Sequence, residues 1–151
     1  MIDAVRRHAE ATRSIPLVLD SPHSGTAYPA DFGAAIPAAR LRGGEDTHVD
    51  ALWEAVPAAG GTLLAATFPR VYIDPNRMAD DIDPAQLDGV WSTALAPGPK
   101  TQLGYGLIWS RIDASTPIYD RRLSVAEVQG RIDGYYRPYH AALAEAVESA
   151  Y

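Results

Sequence analysis

Read as apolar and polar positions, the chain opens on a charged stretch, Met1 to Arg13, whose few apolar positions fit a short surface helix or a loose arm. The first clear signal follows it. Ile15 to Leu19 is a short apolar run rich in branched residues and closed by Pro22 and Gly25, which predicts a strand buried on both faces and leading into a loop. His23 then lies just past the strand's carboxyl end, the edge of an open α/β sheet where departing loops form ligand crevices. Tyr28 to Gly44, with Pro29, Pro37 and two adjacent glycines, reads as a wandering loop with room for one helical turn. From Asp46 onward, Val49, Leu52, Trp53 and Val56 recur at helical spacing until Gly60-Gly61 stops them. Thr62 to Phe68 and Val71 to Ile73 are two extended segments around Pro69-Arg70, either neighbouring strands or one bent strand.

The second half alternates loops and one strong helix. Asp80, Asp81 and Asp83 only superficially resemble a calcium loop, because the central Gly and distant Glu are missing; a solvated turn is the expectation. Asp88 to Leu103 is rich in Pro and Gly and reads as a long loop of the kind that often serves as a lid. Gly106 to Ile112 is a short strand with Pro117-Ile118-Tyr119 as its partner. Ser124 and Glu127 then form a Ser-x-x-Glu capping box. Val128, Ile132, Tyr135, Tyr136, Tyr139, Leu143 and Val147 carry one apolar face from there to the carboxyl end. Pro138 should kink this helix near Gly134, because its ring removes a backbone donor and clashes with the preceding turn. His140 beside that face is expected to be a packed or exposed helical residue. The pattern contains no internal repeat.

Composition narrows the chemistry. With 151 residues, 47% of them hydrophobic and 21% charged, one globular domain over residues 1–151 is the expectation. No apolar run approaches the roughly 20 residues that cross a bilayer, and the amino terminus lacks a signal-peptide centre, so a soluble cytoplasmic protein is expected. The absence of cysteine excludes disulfides, thiolate metal sites and a cysteine nucleophile. A net charge of −6 argues against nucleic-acid or anionic-membrane partners. Lys100 is the only lysine, so a Schiff base is improbable, whereas planar recognition of a carboxylate by Arg is well supplied.

Three clusters fall at strand exits or a helix start: His23; Glu45, Asp46 and His48; and Arg70 with Asp74, Asn76 and Arg77. Zinc takes imidazole nitrogen and carboxylate oxygen, and a catalytic site usually has three protein ligands and one open position. His23 with Asp46 or Glu45 supplies two ligands, and an arginine pair beside them suits an anionic substrate. Glu45 and Asp46 are also favoured at a helix start simply by capping and the helix dipole. A serine hydrolase fits worse: Ser24 cannot readily reach its own neighbour's imidazole, and no Gly-x-Ser-x-Gly turn exists.

The ordered blocks PLVLDSPHSGTAYP, EDTHVDALW, FPRVYIDPNR, GLIWSRI with TPIYDRRLS, and YYRPYHAALAEA resemble the N-formylglutamate amidohydrolase family from about Ile15 to the end of the chain. The resemblance implies an α/β fold, a mixed central sheet flanked by helices of the zinc-carboxypeptidase or phosphorylase-hydrolase type. It also implies zinc as cofactor, with N-formyl-L-glutamate, a small acidic N-acyl amino acid, hydrolysed to formate and L-glutamate in histidine degradation. By resemblance His23 is a metal ligand, and Asp46 is preferred to Glu45 or His48 as the second. Arg70, Asn76 and Arg77 bind substrate, and Arg70 also stabilises the developing oxyanion. Family members continue beyond the YRPYH helix into an Asp-x-His-Ser block holding a third ligand, so the fold and the metal site are expected to be incomplete at the carboxyl end. A chain of this kind is expected to be inactive alone and prone to associate. The alternative from another class is a noncatalytic small-anion-binding domain that keeps the arginines without a working metal.

Overall fold

The computed structural model describes residues 3–9 and 15–151. Its organising strand is β3 (Thr62–Ala66), in which Leu63 to Ala66 are all buried. Two strands flank it. β1 (Val5–Ala9) runs antiparallel, from Val5 opposite Ala66 to Ala9 opposite Thr62, and β2 (Val18–Ser21) runs parallel, from Val18 opposite Thr62 to Ser21 opposite Ala65. β3 is the most apolar of the three and therefore takes the centre, where both backbone edges are paired.

The flanking strands correct the sequence reading twice. Val5–Ala9 is a strand rather than a helix or arm; residues 1, 2 and 10–13 of that segment lie outside the described residues. Its Arg6, Arg7 and His8 suit an edge, where charge discourages pairing with other chains. β2 is also an edge strand, starts at Val18 and is partly exposed, not buried on both faces. Apolar runs look alike in the centre and at the edge of a sheet, because only the tertiary neighbour decides burial.

The parallel β2–β3 pair needs a long crossover, and residues 22–61 supply it with two short α-helices, α1 (Ala38–Leu41) and α2 (Val49–Leu52), and a 3-10 turn, Arg42–Gly44, between them. The helix expected over Asp46 to Val56 is thus one turn, followed by turns to Gly60. Val71 to Ile73 is not a strand. It forms a fully buried turn, with Tyr72 N donating to Pro69 O at 3.0 Å and Asp74 N to Leu107 O at 2.8 Å. Residues 106–112 and 117–119 do pair, but through an isolated bridge between Arg111 and Pro117 rather than regular strands.

Within the predicted Asp88–Leu103 loop, α3 (Pro99–Gln102) forms one turn. Asp81 holds that loop by accepting from Gly98 N and Thr101 Oγ1, so the acidic turn is structural and only partly solvated. A two-residue strand before the loop, β4 (Leu87–Asp88), pairs in parallel with β5 (Leu123–Ser124).

The closing helix begins at the expected capping box. Glu127 N donates to Ser124 Oγ at 3.2 Å and Ser124 N to Glu127 Oε2 at 2.8 Å. α4 (Val125–Arg131) leads through one π-helical turn, Ile132–Tyr136, into α5 (Arg137–Ala150). The π turn ends two residues before Pro138. A wider turn accommodates the missing donor and bulky ring where an α-turn would clash. Tyr139 packs edge-on against Phe68, with ring centroids 6.3 Å apart, and donates to Asp20 Oδ2 at 2.9 Å, fastening α5 to β2. Val147 is 42% exposed while Ala146 is buried, so the far end of the predicted stripe turns away from the core.

Candidate active site

The loop after β2 carries His23 to the centre of a polar cluster. Its position is set by a close approach of backbones: a Cβ on Gly25 would lie 2.1 Å from Phe68 O, so only glycine lets this loop lie on the end of β3. The next chain to arrive is the 44–50 turn. Asp46 N donates to His23 O at 3.1 Å, and His48 takes the left-handed conformation at φ +66° to start α2. The third is the buried 69–77 turn, which contributes Arg70 and Asp74.

These chains converge on the imidazole. Asp74 Oδ1 lies 2.8 Å from His23 Nε2, while Arg70 Nη1 lies 2.9 Å and Asp46 Oδ2 3.3 Å from His23 Nδ1. A guanidinium can only donate and a carboxylate accepts. The hydrogen-bond network therefore assigns the imidazole proton to Nε2, pointing at Asp74, and leaves the Nδ1 lone pair facing Arg70 and the Asp46 side. Arg70 also bonds both Asp46 oxygens, Nη1 to Oδ2 at 3.1 Å and Nη2 to Oδ1 at 2.9 Å, and Nε donates to Gly44 O at 2.6 Å. It is a bidentate clamp whose guanidinium lies 5.0 Å from the Trp109 ring centroid.

Asp74 is the buried anchor of the cluster, with its side chain 1% exposed. Burial alone would raise its pKa. Hydrogen bonds from His23, from Asn76 N at 2.9 Å and from Trp109 Nε1 at 3.3 Å outweigh that and hold the carboxyl below the usual range. The ionised form is thus built into the site, and with it the orientation of His23.

His23, Asp46 and Arg70 are brought together. Asn76 and Arg77 stand beside them: Asn76 is exposed and reaches Asp74 through its backbone, while Arg77 donates to Tyr105 O at 3.0 Å and Asn76 O at 3.3 Å. The competing acid and imidazole are elsewhere. Glu45 has a fully buried side chain that accepts from Tyr28 Oη at 2.6 Å and lies 3.5 Å from Arg42, with Oε2 lacking a hydrogen-bond partner. Burial, and then the Glu45 contact, push the Tyr28 hydroxyl pKa well up, so it remains a donor. His48 is exposed at the outer end of its turn. His140 packs on Tyr136 and meets Pro75 O at 2.9 Å, as a helical packing residue should.

The sequence named Asp74 only as a member of its cluster, set Ser24 aside as a nucleophile and gave Trp109 no role. Asp74 carried a usable signal, an acid directly after the apolar run Val71-Tyr72-Ile73, where burial demands partners. Trp109 carried none, because its contact with Asp74 spans 35 positions.

A metal fits this donor set in part. Nδ1 of His23 is presented by an Nε2–H to carboxylate bond, the arrangement that orients ligating histidines, and Asp46 adds a carboxylate on the same side. The cation between them here is the Arg70 guanidinium. Among the described residues no three His, Asp or Glu side chains are grouped closely enough to hold a metal ion. Also among the described residues, no helix is long and apolar enough to cross a membrane.

Comparison with known proteins places these features in a family. Residues 15–151 match the N-formylglutamate amidohydrolase family model. A crystal structure of N-formylglutamate amidohydrolase from Ralstonia eutropha superposes with a TM-score of 0.96 at 74% identity, covering 99% of this chain and 54% of that one. The N-formylglutamate deformylase of Pseudomonas aeruginosa is 28% identical over 134 residues, 87% of this chain and 45% of the relative. The chain thus spans about half the length of the relatives it matches.

Proposed function

The chain belongs to the N-formylglutamate amidohydrolase family, and from that premise we propose that it carries active-site residues of a zinc-dependent amidohydrolase converting N-formyl-L-glutamate to formate and L-glutamate. The observation that carries the reading is the orientation of His23. A buried, ionised Asp74 fixes its tautomer so that Nδ1 faces Asp46. His23 and Asp46 are the proposed ligands, in a mixed α/β fold of the zinc-carboxypeptidase type.

Bound between them, zinc would supply a Lewis acid and acidify water for attack on the formyl carbon. The chain's own residues do the rest. Arg70, whose guanidinium lies 2.9 Å from both His23 Nδ1 and Asp46 Oδ1, would leave those contacts to donate to the formyl oxygen as charge develops there. Arg77, held through Nε and Nη1 by backbone carbonyls, offers its remaining donors to a substrate carboxylate, with the exposed Asn76 beside it. Trp109 keeps Asp74 and Arg70 in one frame.

The second reading, a noncatalytic small-anion-binding domain, is favoured by Arg70 filling the space between the two proposed ligands. Zinc content and formate release, measured on this chain and on one extended to the span of its relatives, separate the two. Zinc-dependent formate release by the extended chain, with little from the 151 residues alone, is the expected result. Anion binding with no formate release from either would favour the second reading and overturn the first.

A further inference from the structure

We propose that Ser24 is a positioning residue, whose buried hydroxyl sets Asp46 against His23 and has no part as a nucleophile. The inference rests on His23 and Asp46 being the ligand-bearing pair, but its geometry stands without a metal. Ser24 is 5% exposed, and its Oγ makes three bonds. It donates to Asp46 O at 3.1 Å, accepts from Asp50 N at 3.2 Å, and lies 2.6 Å from Ser21 Oγ, itself 1% exposed.

A serine hydroxyl has one proton and two lone pairs. With the proton committed to the Asp46 carbonyl, the short contact must be donated by Ser21, and both lone pairs of Ser24 are then filled. The hydroxyl is saturated, so no base can take its proton without breaking a buried bond. What it does instead is geometric. Its partners, Asp46 and Asp50, flank the left-handed His48, so one oxygen staples the ends of the turn that carries Asp46 to the loop that carries His23. Asp46 N to His23 O, at 3.1 Å, is the second stitch, and it joins backbone only. Arg70 grips the Asp46 carboxylate, whereas Ser24 ties the backbone at both ends of this turn to the loop that carries His23 and so sets the distance at which Asp46 faces Nδ1.

The variants Ser24→Ala and Ser21→Ala test this on the purified chain. The readouts are His23 ring-nitrogen NMR shifts at fixed pH, Asp50 amide exchange and zinc affinity by titration. Ser24→Ala should shift the His23 ring nitrogens, speed Asp50 exchange and weaken zinc binding roughly 10-fold, the scale seen when a group orienting a ligand is removed. Ser21→Ala, which removes only the bond donated into Ser24, should leave the ring nitrogens near wild type. If Ser24→Ala fails to fold, Ser24→Cys, whose thiol is a poor donor and acceptor, carries the same readouts. A folded Ser24 variant that loses only thermal stability, with ring nitrogens and Asp50 exchange unchanged, overturns the inference. Wild-type chain that takes up no zinc would count against the metal reading alone, because the NMR readouts still decide the role of Ser24.

Discussion

At the scale of single residues, the site turns on which atoms are left available after the network has been satisfied. Asp74 fixes His23 through Nε2, and replacing it with Asn removes the charge while keeping the shape. Zinc affinity in Asp74→Asn should fall about 10- to 100-fold, as read by zinc titration. An unchanged affinity would mean that the imidazole is oriented by something else. Arg70 is the other pivot. In a relative of full family length, replacing the matching arginine with Lys should lower kcat for formate release about 100-fold with a smaller change in KM, because a point charge cannot repeat the bidentate fork. An equal loss in KM with kcat preserved would make Arg70 a ground-state binder only. Arg131 shows that not every buried cation here belongs to the site. It is 2% exposed, lies 4.1 Å from the Tyr72 ring centroid, and donates to Tyr72 O, Phe32 O and Tyr119 Oη, knitting the helix to three loop segments.

At the scale of elements, local chemistry fixes the ends of segments more firmly than their interiors. The Ser124–Glu127 box was legible because the bonds that satisfy a helix start lie within four residues of one another. Ser124→Ala should cost about 1 kcal/mol, seen as a lower Tm. Glu127 also accepts from Arg121, at 2.7 Å for the closer pair, and with that bond first among the causes its pKa falls from 4.5 to about 2. A carboxylate with a depressed folded-state value adds stability above its unfolded pKa, and that increment is lost as pH falls towards the folded value. The acid limb of stability between about pH 4.5 and 2 should therefore flatten in Glu127→Gln, in a denaturation series across that range. The strands were harder to read. Val71 to Ile73 has the composition of a strand, but Arg70 and Asp74 are drawn into the site and its backbone closes into a turn. Gly25→Ala would force the His23 loop off the end of β3 and should cost about 1–3 kcal/mol, measured by denaturant unfolding.

At the scale of the whole molecule, the convergence of His23, Asp46 and Arg70 was legible because each stands at the margin of an apolar segment. The sequence could not show that β1 exists, since an edge strand made of Val5-Arg6-Arg7-His8-Ala9 is defined by its partner β3, more than fifty residues away. The π turn at Ile132–Tyr136 has a consequence for how this helix tolerates change in length. A π turn closes its hydrogen bonds one residue further along than an α-turn, so losing one residue from it would restore α-helical spacing and leave the phase of α5 nearly unchanged. Tyr139 would keep its place against Asp20 and Phe68, but Pro138 would then lie in a regular α-turn with its ring against the carbonyl four residues before it. Gly134 sits in that turn with open space where a Cβ would go, so adding a methyl there touches nothing. The two edits at one position should diverge in denaturant unfolding: Gly134→Ala leaves the protein as stable as before or slightly more so, whereas deleting Gly134 costs about 3 kcal/mol through the clash at Pro138.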